Sequence, residues 1–335
     1  MTRVLTVENL NIGFRSEGRE LPVVHDVSFT LEAGKTLALV GESGSGKSVT
    51  SLGIMRLLPP PPQSRARGKI ILHSDEDIDL LSISEARMRR LRGDRIAMIF
   101  QEPLTSLNPV YTIGDQIIEA IRSHRAISAR KARERAVELI DQVGIPDAAA
   151  RLTTYPHELS GGMRQRIMIA IALALEPEIL IADEPTTALD VTVQAQIIDL
   201  LRRLQAETGM AMLFITHDFG VVADIADRTI VMYAGQMVEH GQTEAVLETP
   251  LMPYTSGLMR AVPELETAGL NQGELQSIEG FVPNPASLPN GCAFHPRCTH
   301  TLSGICDVPP VPFEDAGNGH LVRCKRWQSI LENAE

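Results

Sequence analysis

Short apolar runs alternate along the chain with stretches of helical patterning. Five of these runs are rich in β-branched and other apolar residues: TLALV (36–40), RIAMIF (95–100), EILIA (178–182), AMLFI (211–215) and RTIVMY (228–233). Continuous apolar runs of this length, separated by helices, are typical of strands buried on both faces of a parallel sheet. The pattern therefore predicts an α/β fold with a mostly parallel sheet.

One helical stretch is well marked at both ends. In SARKARERAVELIDQVG (128–144), Ser128 is suited to the N-cap and Gly144 follows the last periodic residue. Ser favours the N-cap because its hydroxyl accepts a backbone N–H, and Gly favours the position after a helix because it adopts positive φ. We expect a helix between these two residues.

The pattern also suggests a division of the chain. A helical block at about residues 102–177 interrupts the strand alternation, and after about residue 240 Pro and Gly become frequent while strand patterns are hard to find. We expect residues 1–240 to form the sheet-containing part, with the block as a helical subdomain. Residues 241–335 are expected to form a loop-rich C-terminal extension.

Composition and charge limit the classes of function. The 335-residue chain carries a formal net charge of −11, which disfavours a protein that coats nucleic acid. Its first residues, MTRVLTVENL, do not resemble a secretory signal, and the longest apolar run, IMIAIALAL (167–175), is far shorter than the roughly 20 residues that span a bilayer. We expect a cytoplasmic protein that needs other chains for any membrane-spanning role.

The segment GESGSGKS (41–48) has the pattern of a phosphate-binding loop. It follows the run TLALV and opens a helical stretch, the context that G-x-x-x-x-G-K-[ST] requires. The glycines let backbone N–H groups surround phosphate oxygens, while Lys47 supplies positive charge and Ser48 a hydroxyl for Mg²⁺. An ordinary glycine-rich turn is the alternative. The predicted nucleotide-binding residues here are Gly41, Ser43, Gly44, Ser45, Gly46, Lys47, Ser48 and Val49.

Polar residues follow three other predicted strands. Gln101 comes after RIAMIF, Asp183 and Glu184 after EILIA, and Thr216 and His217 after AMLFI. Ligands of open α/β sheets bind at the carboxyl ends of the strands, so these residues are expected to converge with the phosphate-binding loop. Asp183 is suited to hold Mg²⁺ and Glu184 to polarise an attacking water. Two solvated acids and a structural histidine are the alternatives.

Two further segments carry weaker signals. Phe14 lies upstream of the phosphate-binding loop and is suited either to stack on an adenine ring or to fill the core. Ser160, Gly161 and Gly162, in LSGGMRQR (159–166), precede a helical apolar run. A helix that begins in this way offers N–H groups to an anion, although many helices begin with Ser and Gly.

Together these residues resemble the ATP-binding-cassette ATPases of membrane transporters in order and spacing. The matching segments are GESGSGKS, Gln101, the signature LSGGMRQ, ILIADE, the D-loop ALD (188–190) and His217. The resemblance implies a head-to-tail dimer, in which ATP lies between the P-loop of one cassette and the signature Ser160-Gly161-Gly162 of the other. It also implies that Phe14 stacks on adenine and that Asp190 lies at the nucleotide. By the same resemblance, Glu184 is the general base and His217 contacts the γ-phosphate. Gln101 is implied to join Ser48 and Asp183 at Mg²⁺.

Two segments resemble the ATPase subunits of bacterial dipeptide and oligopeptide importers more closely. These are IFQEPLTSLNPVYTIGDQI (99–117) and ETPLMPYTSGLMRAVP (248–263), although Met252 stands where that family usually has His. The resemblance implies a related second ATPase subunit, two membrane permease subunits and an extracytoplasmic peptide-binding protein, with this chain peripheral on the inner face of the cell membrane and no nucleic acid partner. Nickel and other small-solute importers share much of the pattern. A soluble cassette ATPase of DNA repair, translation or iron–sulfur handling is the remaining alternative.

All four cysteines lie beyond residue 290, at Cys292, Cys298, Cys306 and Cys324. Their spacing lacks the C-x2-C pair of most structural zinc sites, and stable disulfides are uncommon in the cytosol. Spacing alone leaves free thiols, zinc and an iron–sulfur cluster open, and the nearby histidines keep zinc in consideration. The segment GCAFHPRC with the two later cysteines resembles the tail of a subset of peptide-importer ATPases, which implies a [4Fe–4S] cluster whose charge nearby cations, Arg297 among them, would offset. Such a centre would order a segment that has little core.

Overall fold

The computed structural model describes residues 2–16, 18–101, 106–187, 189–261 and 278–332. All five predicted apolar runs form strands. The strands are β1 Arg3–Ser16, β2 Arg19–Glu32, β3 Thr36–Val40, β4 Ser64–Leu72, β5 Ile78–Asp79, β6 Ile96–Ile99, β7 Ile179–Asp183, β8 Ala211–Thr216, β9 Arg228–Tyr233, β10 Gln236–Gln242, β11 Glu314–Asp315 and β12 Leu321–Val322. The helices are α1 Lys47–Ile54, α2 Glu85–Leu91, α3 Ile113–Arg122, α4 Ala129–Gln142, α5 Ala148–Arg151, α6 Gly161–Ala172, α7 Val191–Thr208, α8 Phe219–Ile225, α9 Thr243–Glu248, α10 Pro253–Arg260 and α11 Trp327–Glu332, with 3₁₀ turns at Pro156–Glu158, Pro285–Ser287 and His295–Arg297. Over these described ranges, no helix is both long and apolar enough to cross a membrane.

The chain folds into two compact units, each assembled from separated segments. Unit 1 comprises Met1–Leu5, Thr30–Thr36 and Ile71–Ile215, and unit 2 comprises Thr6–Phe29, Leu37–Ile70 and Thr216–Glu335. Both units combine helices with parallel strands, so the predicted α/β class is confirmed. The boundaries of these two units differ from the predicted division at residue 240. That division stays a prediction.

Unit 1 is built on the parallel strands β6, β7 and β8, with β7 in the middle. Ile99 lies opposite Ala182, and Asp183 lies opposite Ile215. All residues of the three strands are buried, as continuous apolar runs predict. Helices α3, α4 and α6 pack against one another, and α6 also packs on β6. Because the strands are parallel, the residues that follow β6 and β7 emerge at the same edge.

Unit 2 contains β3, which lies parallel to β9, and an antiparallel series formed by β9, β10, β12 and β11. Most of β1, β2 and β4 also belongs to this unit, in the sheet order β2-β1-β4. Its core includes three aromatic rings, those of Tyr233, Tyr254 and Phe294, whose centroids lie 4.6–5.3 Å apart. They come from β9, from α10 and from the cysteine-bearing segment. The C-terminal residues therefore share one core with the strands of this unit.

Glu239 of β10 is a buried carboxylate at which two distant parts of the C-terminal residues meet. Its side chain accepts hydrogen bonds from the backbone N–H of Leu251 at 2.7 Å and of Met252 at 3.1 Å. The ring Nε2 of His320, just before β12, lies 2.8 Å from the same carboxylate. Glu239 is fully buried, so these contacts replace the hydration that the carboxylate loses.

Candidate functional site

The glycine-rich segment 41–48 turns tightly between β3 and α1. Gly41 has a φ of 153° and Gly46 a φ of 101°, values that residues with a Cβ rarely adopt. A Cβ on Gly41 would lie 2.2 Å from the carbonyl oxygen of Met232, so the close approach requires glycine. Helix α1 starts after Gly46 without a side-chain cap. Its first N–H groups are thus suited to phosphate oxygens.

Two buried polar side chains complete this loop. Lys47 is only 4% exposed, and its Nζ donates to the carbonyl oxygens of Gly41 at 2.7 Å and Glu42 at 3.0 Å. The hydroxyl of Ser45 is buried and has no hydrogen-bond partner among the described residues. A buried polar atom without a partner costs free energy, so a ligand that bonded this hydroxyl would gain stability.

The other predicted loop residues are accessible. Ser43 and Gly44 are exposed, and Ser48 and Val49 are half-buried. A buried ammonium, an unsatisfied hydroxyl and an uncapped helix start match the oxygens of a nucleotide phosphate chain. The local geometry therefore fits the predicted phosphate site.

Gly235, which the sequence analysis did not single out, closes one side of the loop. Its N–H donates to the carbonyl oxygen of Ser45 at 2.9 Å, and its own carbonyl accepts from the N–H of His25 at 2.8 Å. A Cβ on Gly235 would lie 2.1 Å from the carbonyl oxygen of Val23. Ala234 and Gly235 form a two-residue turn between β9 and β10, and the Gly that follows the apolar run RTIVMY was the available sequence signal.

In unit 1 two predicted strand-end residues meet. Glu184 directly follows β7, and its carboxylate accepts from Nε2 of Gln101 at 3.0 Å and from the hydroxyl of Thr187 at 2.9 Å. Its φ of 47° is uncommon for a residue with a side chain, and such strain clusters at functional sites. Asp183, the last residue of β7, is buried. Thr187 was missed because no pattern distinguishes it from the threonine before it.

The predicted signature residues form a second helix start in unit 1. The exposed Ser160 caps α6, and a Cβ on Gly162 would lie 2.7 Å from a methyl group of Val193. Asp190 caps α7 by accepting from the N–H of Val193 at 2.9 Å. The signature therefore lies beside the first turn of α7, the helix that Asp190 caps. Ala188 of the predicted D-loop lies outside the described residues.

Phe14 and His217 both belong to unit 2. Phe14 is half-buried in β1, and His217 is exposed directly after β8. The neighbouring Asp218 caps α8, which fixes where the chain turns after His217. Both side chains are accessible to a ligand, and their contacts with a nucleotide stay predictions.

All four cysteines are free thiols that line one small cavity in unit 2. Burial raises the pKa of Cys292 and Cys298, and it raises the pKa of Cys324 to about 12, with the neighbouring thiols adding to each effect. His295, His300, Lys325 and Arg326 also line the cavity. Across the described parts of the chain, no three His, Cys, Asp or Glu side chains form a group that could hold a metal ion. The structure thus brings the thiols together without showing a metal site.

Two family models match the chain. One, described as ABC transporter, matches residues 24–187, and another, described as the C-terminal region of oligopeptide/dipeptide transporters, matches residues 238–306. A protein of Brucella abortus (strain 2308), named for peptide import and ATP binding, is 55% identical over 332 residues and 98% of each chain. The chain belongs to the ABC transporter ATPases of the oligopeptide/dipeptide importer family. A further importer relative, from Brucella suis biovar 1 (strain 1330), is 50% identical over 96% of this chain and 94% of its own.

Solved structures of ATP-binding cassettes share the fold of this importer ATPase. The dimeric cassette MJ0796, in a post-hydrolysis state bound to ADP and Pi, is 27% identical with a TM-score of 0.62, covering 71% of this chain and 98% of its own. The protein cbiO1 of Clostridium perfringens, part of the transporter complex cbiONQ, is 25% identical with a TM-score of 0.62, covering 74% and 92%. The predicted P-loop fold and ATPase class are therefore confirmed.

Proposed function

We propose that this importer ATPase hydrolyses ATP in a head-to-tail dimer and thereby drives the import of dipeptides or oligopeptides through a membrane ABC transporter. The match of residues 238–306 to the C-terminal region of oligopeptide/dipeptide transporters carries the substrate class, since the ATP-binding core is not specific to a cargo. The peptide-import names of the relatives support it. The proposed partners are a related second ATPase subunit, two permease subunits and an extracytoplasmic peptide-binding protein.

The cassette is proposed to occupy residues 1–240 and the importer-specific extension residues 241–335. The positions of the two family matches support this division. The helical block at about 102–177 is proposed to contact the permeases, which would place the chain on the inner face of the cell membrane. Its helices α3, α4 and α6 pack together as one group.

Phosphate binding is proposed for the loop at residues 41–48. Lys47 neutralises phosphate charge, and the hydroxyl of Ser45 and the N–H groups at the start of α1 donate to phosphate oxygens. Ser48, Gln101 and Asp183 would hold Mg²⁺, which neutralises charge on the phosphates when bound. The hydroxyl, amide and carboxylate oxygens of these residues suit that hard cation.

Glu184 is proposed to take the proton from the attacking water. Gln101 and Thr187 donate to its carboxylate, which fixes the orientation of the base before reaction. His217 is assigned to the γ-phosphate and Phe14 to the adenine ring. The exposed signature Ser160-Gly161-Gly162, with Asp190 beside it, is proposed to complete the site of the second cassette.

Uptake measurements test the proposed transport. Cells that lack the gene should fail to accumulate a radiolabelled tripeptide, and the wild-type gene should restore accumulation. A gene carrying Glu184→Gln should not, whereas Glu207→Gln, which changes an exposed carboxylate on α7, should restore it. Normal peptide accumulation in the deletion strain would contradict the proposal, and a loss of nickel uptake instead would assign a different cargo.

We further propose that the four cysteines hold a [4Fe–4S] cluster. All four thiols line one cavity of the extension, although they are not grouped as ligands of a single ion. A single Zn²⁺ needs sulfur ligands at about 2.3 Å, whereas a cluster binds one thiolate per iron and so spaces them more widely. When bound, the cluster would cross-link a segment with little regular structure.

Iron, sulfide and zinc content of the full chain, purified without oxygen, tests the cluster proposal. About four irons with matching sulfide and broad visible absorption would support it. Stoichiometric zinc, or no metal, would refute it. Either of these outcomes would leave the ATPase assignment intact.

A further inference from the structure

Arg297 joins the cysteine-bearing segment to the phosphate loop. Its guanidinium donates two hydrogen bonds to the carboxylate of Glu42, from Nη1 to Oε2 at 2.8 Å and from Nη2 to Oε1 at 3.1 Å. Arg297 immediately precedes Cys298, and Glu42 immediately follows Gly41. The Arg297 side chain is 7% exposed and that of Glu42 is 25% exposed, so the guanidinium is well shielded from water and salt and the carboxylate is shielded in part.

The C-terminal residues leave this guanidinium little freedom. Its Nε donates to the carbonyl oxygen of Glu279 at 2.9 Å, and Nη2 donates to that of Ile278 at 3.2 Å. The guanidinium carbon lies 5.8 Å from the ring centre of Tyr233 and 5.9 Å from that of Phe294, within cation–π range. Arg297 therefore links the extension to the carboxylate of Glu42, so a movement of the extension would displace that carboxylate.

Glu42 also contacts Lys47, the lysine proposed to bind phosphate. Its N–H donates to the hydroxyl oxygen of Tyr254 at 2.9 Å, and its carbonyl accepts from Nζ of Lys47 at 3.0 Å. Tyr254 belongs to α10, so the extension holds Glu42 by both its side chain and its backbone. A displacement of Glu42 moves a carbonyl that fixes the ammonium of Lys47.

We propose that Arg297 is a positioning residue for nucleotide binding. Through the Arg297–Glu42 pair, the extension sets the conformation in which the loop and Lys47 receive ATP. Loss of order in the extension then releases Glu42 and weakens ATP binding. The proposal rests on the assignment of residues 41–48 as the ATP-binding loop.

Titration of the purified full chain with a fluorescent ATP analogue tests this role. Arg297→Met removes the charge and the hydrogen bonds to Glu42, Glu279 and Ile278 while keeping a long side chain. Arg297→Lys keeps the charge but not the paired geometry. We expect the Kd to rise about tenfold for Arg297→Met and by less for Arg297→Lys. In ATPase assays KM should rise by more than kcat falls, because Arg297 does not contact the reacting atoms.

Arg323→Met is the matched control. It removes the same charge from the same extension, where the guanidinium lies 4.6 Å from the ring centre of Phe313 and Nη1 donates to Gln236. Neither partner belongs to the phosphate loop. Its Kd should match that of the wild type, whatever its melting temperature.

A double-mutant cycle with Glu42→Gln completes the test. If the two residues act through their pair, Arg297→Met should weaken binding much less in the Glu42→Gln background than in the wild type. A Kd unchanged by Arg297→Met, with only a lower melting temperature, would overturn the proposal, as would fully multiplying effects. If Arg297→Met does not fold, Arg297→Lys with Glu42→Gln gives the same comparison. A wild-type chain that does not bind the analogue would refute the ATP-site assignment instead.

Discussion

The side-chain amide of Gln101 donates a 3.0 Å hydrogen bond to the carboxylate of Glu184. The two residues follow the neighbouring parallel strands β6 and β7. The bond uses the amide nitrogen, whereas the amide oxygen is the atom suited to Mg²⁺. One side chain can therefore orient the proposed base and contact the proposed metal at the same time.

Replacement of the base should separate hydrolysis from binding. Glu184→Gln keeps the shape of the side chain but removes its basicity, so kcat should fall by about 10² to 10⁴ while ATP binding persists. Phosphate release and titration with a fluorescent ATP analogue measure the two quantities. Glu207→Gln should behave as the wild type, and near-normal turnover of Glu184→Gln would refute the base assignment.

Gln101→Ala should affect both roles of the amide. It removes a donor that orients Glu184 and also the proposed oxygen ligand, so we expect kcat to fall about tenfold and half-saturation to need more Mg²⁺. Steady-state rates at increasing Mg²⁺ concentrations give both values. A wild-type kcat with wild-type Mg²⁺ dependence would show that the bond to Glu184 has no catalytic consequence.

Glycine in the phosphate loop is required by space as well as by conformation. Gly41→Ala would press a Cβ against the carbonyl of Met232, so we expect a loss of more than about 2 kcal/mol in the free energy of unfolding and loss of ATP binding. Gly18 also has positive φ, 79°, but a Cβ added there would meet no atom within 4 Å. Gly18→Ala should thus cost only about 1 kcal/mol, with ATP binding unchanged. Urea unfolding measures the free energy of unfolding of both variants. Equal losses for Gly41→Ala and Gly18→Ala would show that the space around Gly41 is unimportant.

Stability should depend on pH through His240. Burial lowers the pKa of His240 from 6.5 to about 4, and the guanidinium of Arg228 and the neighbouring His320 add to the effect. Between these two values the unfolded chain binds more protons than the folded one, so the free energy of unfolding falls as the pH falls. The contribution approaches about 3 kcal/mol near pH 4. His240→Gln should flatten the curve between pH 7 and 4.5, and parallel curves would contradict this origin.

Local sequence signals predicted the elements that depend on local chemistry. Ser128 caps α4 by accepting from the N–H of Lys131, and Gly144 follows the helix with a φ of 75°, as predicted. The long strands β1 and β2 were not identified, because buried and exposed positions mix along them and leave no continuous apolar run. The burial pattern of a half-exposed strand depends on the strands and helices that pack against it, so the sequence of that strand alone does not reveal it.

In the candidate site, too, some contacts could be predicted from the sequence and others could not. The rule that parallel strands end at one edge brought Gln101 and Glu184 together correctly, because that rule links distant residues through sheet topology. No such rule links Arg297 to Glu42. Arg297 was expected to offset the charge of a cluster, yet its charge is balanced by the carboxylate of Glu42. Their pairing depends on how an irregular segment packs, which patterning along the sequence does not encode.

Glu239 also bears on how such a chain can be shortened. Its buried carboxylate is shared between the N–H groups of Leu251 and Met252 and the ring of His320. A gene truncated before His320 would leave this carboxylate short of a partner, at a cost of about 2 kcal/mol or more. We therefore expect that relatives without the tail carry an uncharged residue at this strand position. The acid at position 239 and the tail should then be gained or lost together.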